Sequence, residues 1–144
     1  METETMGRVV AEATIENLSD LYLAHRGVVP PEQVRRIVVP DALADTGATL
    51  LSIPTNLIRQ LGLAQTGTRQ VTSSVGPAQA AKYEAVRLTV MGRDCTMDVL
   101  EVPDGVPLLL GQLALEALDL VVDPPNRRLI GNPAHGGALV HEMY

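Results

Sequence analysis

The chain contains no Trp and no Phe, and its three Tyr bring aromatics to only 2% of 144 residues. A core built from it must be aliphatic. With 46% hydrophobic residues the material for one is present, which excludes a disordered chain. Cysteine is nearly absent as well. Cys95 stands alone, so no internal disulfide can form, which suits a reducing compartment. No apolar run approaches the ~18 residues of a membrane span. The opening Met1-Glu2-Thr3-Glu4-Thr5-Met6 lacks the basic and apolar regions of a signal peptide. A cytoplasmic protein with no membrane partner is expected. Positive charge is scarce too. The formal net charge is -6, which argues against a nucleic-acid partner, since that needs a basic footprint. His25, His135 and His141 show no paired ligand spacing, so no metal is expected. There is no G-x-x-x-x-G-K or G-x-G-x-x-G loop to cradle phosphate. No nucleophile elbow or papain-like setting surrounds a Ser or Cys95. Cys95 reads as a small core or edge residue, and Arg127-Arg128 as a solvated turn pair.

What is present reads as short strands within one domain. From Arg8 to Glu16, Val9, Ala11, Ala13 and Ile15 alternate with Arg8, Glu12, Thr14 and Glu16, predicting a half-buried strand. Asn17 to Asp20 reads as a turn, Leu21 to Ala24 as a second strand, and Val34 to Val39 as the next. Pro54 and Thr55 can start a helix with Leu57, Ile58 and Leu61 as its apolar face and Gly62 as its C-terminal cap. Residues 64–70 read as polar and turn-like. Val71 to Val90 then forms a long hairpin with its tip near Ser73-Ser74-Val75-Gly76-Pro77. Cys95 to Val102 is another strand, and Pro103-Asp104-Gly105 a turn. Leu108-Leu109-Leu110 has the wholly apolar character of a central strand. A helix over Gln112–Leu118, a strand over Leu120–Val122 and a returning Leu129-Ile130 complete the pattern. Many short strands with few helical residues suggest a closed, mostly antiparallel β domain. The expected layout is a loose segment over 1–7, a domain over 8–133 and a tail over 134–144.

Asp45-Thr46-Gly47-Ala48 is the stretch this pattern surrounds. Ile37-Val38-Val39 and Ala42-Leu43-Ala44 precede it, and Leu50-Leu51-Ser52-Ile53-Pro54 follows. A lone carboxylate therefore sits in a tight polar loop between two apolar strands. Burying a carboxylate is costly unless donors or a proton compensate. Thr46 offers a hydroxyl and Gly47 an unobstructed backbone N–H. Asp, Thr and Gly are also good turn formers, so the tripeptide alone fits a structural turn as well as a chemical use for an acid.

The flanks favour the chemical use. Ala42 to Thr49 resembles the active-site loop of the retropepsin-type aspartic proteases, the single-domain relatives of pepsin. Ser52-Ile53-Pro54, followed by a short helix ending in Leu61-Gly62-Leu63, is similar to what comes next in that family. Leu108-Leu109-Leu110-Gly111, then a helix and Leu118 to Asp123, resembles its second signature. The two signatures stand in family order, and the resemblance covers roughly residues 8–133. It implies an all-β, pepsin-type closed barrel with one or two short helices, acting as a homodimer on a peptide or protein substrate without a cofactor.

The same resemblance assigns roles. Hydrolysis of an amide needs a base to take a proton from water and an acid to return one. In aspartic proteases two carboxylates about 3 Å apart share one proton and divide these tasks. This chain has a single Asp-Thr-Gly, so the second carboxylate would be Asp45 of another copy, with the site on a two-fold axis. Thr46, Gly47 and Ala48 would support the loop. Ser73, Ser74, Val75 and Gly76 would form the tip of a flap over the substrate. Leu109, Leu110 and Gly111 would be structural. The rival reading is a retropepsin-like domain without catalysis that serves for dimerisation or peptide binding.

Overall fold

Alternation in the first strand sets the barrel wall. In the computed structural model, which describes residues 8–73 and 75–143, β1 (Val10–Asn17) turns Ala13 and Ile15 into a fully buried interior and leaves Glu12 exposed. It pairs antiparallel with β2 (Arg36–Ala44) on one side and with β5 (Gly76–Val90) on the other. The remaining wall strands are β7 (Leu109–Leu110), β3 (Leu51–Pro54) and β6 (Arg93–Val102). Their order is β1-β2-β7-β3-β6-β5, and the β1–β5 pairing closes the ring. Six strands thus form a closed all-β barrel of the retropepsin-like kind. Closure removes the unpaired edges that an open sheet would expose.

The interior is aliphatic, as the missing Phe and Trp require. Ile15, Leu51, Ile53, Leu88, Val99 and Leu110 are fully buried. Each such side chain contributes roughly 1.5–3 kcal/mol of burial. Two helices seal the barrel. In α2 (Thr55–Leu61) Ile58 and Leu61 are buried, and Gly62 ends it in the left-handed region at φ 64°. In α3 (Gln112–Leu118) Ala114, Leu115 and Leu118 are buried. Both helices lie where the sequence places them.

A third helix, α1 (Leu18–His25), replaces the expected turn over Asn17–Asp20 and strand over Leu21–Ala24. Asn17 and Asp20 serve a helix start as well as a turn. The Asn17 side chain accepts from Asp20 N–H at 2.9 Å, and its amide donates to Leu61 O at 2.7 Å. Asp20 is then held by Arg35, whose Nε donates at 2.8 Å. So α1 is pinned to the end of α2 and to the approach of β2. The hairpin also differs in one limb. β4 begins at Gln65 and runs to Ser73, including residues expected to be turn-like. Only Val71 of β4 is partly buried, so there was no alternation to read. Its strand character comes from the ladder to β5, from Gln65↔Tyr83 to Ser73↔Gly76.

After α3 the chain forms a separate two-stranded sheet, β8 (Leu120–Asp123) with β9 (Arg128–Gly131). The segment that follows folds back onto Asp119, the left-handed cap of α3. The buried Asp119 carboxylate accepts from His135 Nδ1 at 2.7 Å, Val140 N–H at 3.1 Å and the Asn132 amide at 3.2 Å. Arg93 clamps the same place, donating to Asp119 O at 2.7 Å and to Gly137 O. The expected loose segment over 1–7 lies outside the described residues.

Two outcomes test these contacts. Asn17→Ala removes a helix cap and leaves Leu61 O without its donor. It should cost about 1–3 kcal/mol, read from the urea midpoint. The second concerns acid. The His135 hydrogen bond lowers the Asp119 pKa more than burial raises it, with Val140 N–H and Asn132 adding to the effect. A carboxylate with a depressed folded pKa stabilises the fold above its unfolded value, roughly 3.9, and loses that contribution as pH falls through the folded value. Hydrogen exchange over residues 132–143 should therefore show a docked segment from neutral pH down to about pH 4 and release below it. An Asp119→Asn variant should lack that acid transition; the same transition in both proteins would show that another group controls docking.

Candidate active site

The Asp45 loop is held by main-chain bonds before any side chain is considered. β7 lies between the two strands that flank the loop. It runs parallel to the end of β2, with Leu43↔Leu109 and Ala44↔Leu110, and antiparallel to β3, with Leu51↔Leu110. Asp45 N–H donates to Leu110 O at 2.9 Å and Gly111 N–H donates to Leu50 O at 2.9 Å. The loop then caps α3. Gln112 N–H donates to Ala48 O at 2.8 Å and Leu113 N–H to Thr49 O at 3.0 Å. Gly111, the N-cap, supplies no side-chain acceptor, so loop carbonyls satisfy amides that a helix start otherwise leaves unpaired.

This close contact explains Gly111. A Cβ there would lie 2.1 Å from Leu50 O and 2.8 Å from Thr49 O, both backbone atoms. At Gly47 the space is tight but not closed, since a Cβ would meet only Asp45 Oδ1 at 3.2 Å. Gly47 N–H donates to that oxygen at 2.9 Å, and Ala48 N–H closes the turn onto Asp45 O at 3.1 Å. Asp45 and Ala48 are half-buried, while Thr46 and Gly47 are exposed. No donor reaches Asp45 Oδ2 from the described residues. The structure thus brings Asp45, Thr46, Gly47 and Ala48 together with Leu109, Leu110 and Gly111.

The hairpin is a separate feature. β5 pairs with β6 only from Lys82↔Leu100 onward, so residues 65–73 and 76–81 extend as a two-stranded ribbon. At its tip Ser73 Oγ donates to Gly76 O at 2.8 Å and accepts from Val75 N–H at 3.3 Å. Val75 is 94% exposed, and Gly76 takes φ 117°, which favours glycine. Ser74 lies outside the described residues. Among the described residues no hydrogen bond ties this tip to the Asp45 loop.

Two side chains do work that their sequence setting did not reveal. Asp104, legible only as a turn residue, accepts from Asn56 N–H at 2.9 Å and so caps α2 from the loop between β6 and β7. Glu101 accepts from Thr55 Oγ1 at 2.7 Å and from Tyr83 OH at 3.3 Å. Burial, then the Glu101 charge, raises the Tyr83 pKa. All three contacts join residues far apart in sequence. Elsewhere, burial pushes the Cys95 thiol up to about 11, so it stays protonated at neutral pH and is a poor nucleophile. A cavity of about 550 Å³ lies between α3 and the tail, lined by Gln112, Glu116, Asp119, His135 and His141 among others. Asp45 is not part of its lining.

Among known proteins, the model of a family described as aspartyl protease matches residues 36–114, just over half of the chain. The match contains the Asp45 loop, the hairpin and β7. No curated protein matches the chain.

The two glycines should respond differently to a methyl group. Gly111→Ala must push β7 away from the 48–50 backbone and should lower stability by about 1–3 kcal/mol or more. Gly47→Ala needs only a small shift of a half-buried carboxylate and should cost less. Urea unfolding of both variants checks the order; equal midpoints would mean that the contact of Gly111 with Leu50 does not hold the loop.

Proposed function

The chain belongs to the aspartyl protease family, and on that premise we propose that it is an aspartic endopeptidase whose dyad forms from Asp45 of two copies. The observation that carries this reading is the loop itself. It holds one carboxylate at a strand end with Oδ1 fixed by Gly47 N–H and leaves Thr46 and Gly47 exposed, where a second copy can meet them.

The chemistry follows from pairing. Two carboxylates within hydrogen-bond reach share a proton, because both cannot ionise at such separation. The ionised member takes a proton from water, and the water oxygen bonds to the scissile carbonyl carbon. The protonated member gives its proton to the carbonyl oxygen, forming a tetrahedral diol. Proton transfer to the amide nitrogen then lets the C–N bond break, yielding an acid and an amine and restoring one shared proton. This sequence needs no metal or organic cofactor. Gly47 N–H keeps the carboxylate oriented. The Thr46 hydroxyl reaches across the two-fold axis, Ala48 forms a small wall beside the dyad, and Leu109, Leu110 and Gly111 support the loop. The ribbon tip at Ser73, Ser74, Val75 and Gly76 closes over a peptide and excludes water.

Asp45→Asn keeps the shape and removes the base. Peptide hydrolysis should fall by about 100-fold or more with the fold intact by circular dichroism. Adding excess Asp45→Asn chains to wild type should depress activity further than dilution does, because mixed dimers carry one carboxylate. Undiminished wild-type activity in the mixture would rule out a shared site. A stable dimer that cuts no member of a diverse peptide library would instead be a binding module.

A further inference from the structure

From Thr46 to Tyr83 the chain carries no Asp or Glu, while it carries Arg59, Arg69 and Lys82. That stretch has a net charge of +3 and the rest of the chain -9. It comprises the far side of the Asp45 loop, β3, α2 and the hairpin down to its base. The polarity is therefore built into these elements.

Acidic groups from elsewhere reach the start of α2, where Glu101 and Asp104 accept from Thr55 and Asn56, and the base of the hairpin. Asp98 holds Lys82 Nζ at 3.4 Å, and Glu84 accepts from Ala64 N–H at 2.7 Å. Residues 65–81, the projecting ribbon, contain one charge, Arg69. It is exposed, stands opposite Ala80, and makes no ion pair with the described residues. β4 is also the strand at the open end of the sheet order, paired with β5 alone. Its outer edge presents main-chain donors and acceptors along nine residues without a proline to block them. Such an edge is a template for an added strand.

The occupant follows from charge. A second copy pairing antiparallel with β4 about its middle residue would set Arg69 against Arg69, which is repulsive. An extended peptide with an acidic side chain matches both features, pairing its main chain along the edge and its carboxylate with the guanidinium. We infer that the β4 edge and Arg69 select peptide substrates that carry an Asp or Glu side chain. This rests on the peptidase reading above and adds the substrate class to it.

The test uses the 144-residue chain and peptides matched except for a single Asp or Asn, scanned through the positions flanking the cut. The Asp form should be cleaved with a kcat/KM about five-fold higher at one or two positions, the upper range for an exposed ion pair. That advantage should shrink between low and high salt. Arg69→Glu should reverse the preference and Arg69→Lys should retain most of it. Equal cleavage of Asp and Asn peptides at every position, or an unchanged preference in Arg69→Glu, would overturn the inference. Binding of the same peptides to Asp45→Asn, read by fluorescence anisotropy at low salt, separates the two claims. Tighter binding of Asp peptides without any cleavage by wild type would sink the peptidase reading and keep the recognition site. Equal binding of both forms would sink the recognition site.

Discussion

Four main-chain hydrogen bonds between the Asp45 loop and the β7–α3 junction are what the rest of the structure depends on. Asp45 N–H donates to Leu110 O and Gly111 N–H to Leu50 O, and Ala48 and Thr49 accept from the first amides of α3. They place one carboxylate at the end of a strand with the loop crest exposed. They also remove the unpaired amides of a helix start that has no side-chain cap. The arrangement works only if nothing projects from residue 111. Site geometry and fold stability are thus the same interaction.

The barrel supplies a rigid base for that loop. Its closing seam, β1 against β2 and β5, is reinforced on the outside by charge. Glu16 accepts from Arg36 at 2.9 Å and lies 3.7 Å from Arg87, which also pairs with Asp94. Arg36, Arg87 and Asp94 are well solvated although Glu16 is buried, so the series contributes modestly to stability. Its effect is on register, because it links β2, β1, β5 and β6 at fixed positions. The projecting ribbon has no such series and little burial, features that favour local opening. On the proposed peptidase reading, a firm wall and a less supported ribbon suit a site that must both hold an acid still and admit a peptide.

The sequence was most legible where local and tertiary preferences agree. Apolar runs on both sides of Asp45, the apolar Leu109-Leu110 and the Gly62 end of α2 all point the same way, although β2 spans Arg36–Ala44 rather than the expected Val34 to Val39. The misreadings have a common cause. Asn17 and Asp20 suit a turn or a cap equally, and the deciding partners, Leu61 and Arg35, are distant in sequence. β4 shows no alternation because almost nothing in it is buried; its pairing with β5 makes it a strand. The Asp119–His135 contact could not be read from residues separated by two strands. At the site, Asp45 was visible as an acid between strands, whereas the closeness of Gly111 to Leu50 required the fold.

The central claim is that one chain carries half of a catalytic site. An obligate dimer of this kind buries on the order of 1,200–2,000 Å² or more, and its population depends on protomer concentration. The direct measurement is peptidase rate across a dilution series, with mass determined by sedimentation at each concentration. The account predicts a rate that falls with the square of concentration once the dimer dissociates, and a specific activity that tracks the dimer fraction. A monomeric protein with constant specific activity throughout the series would contradict it.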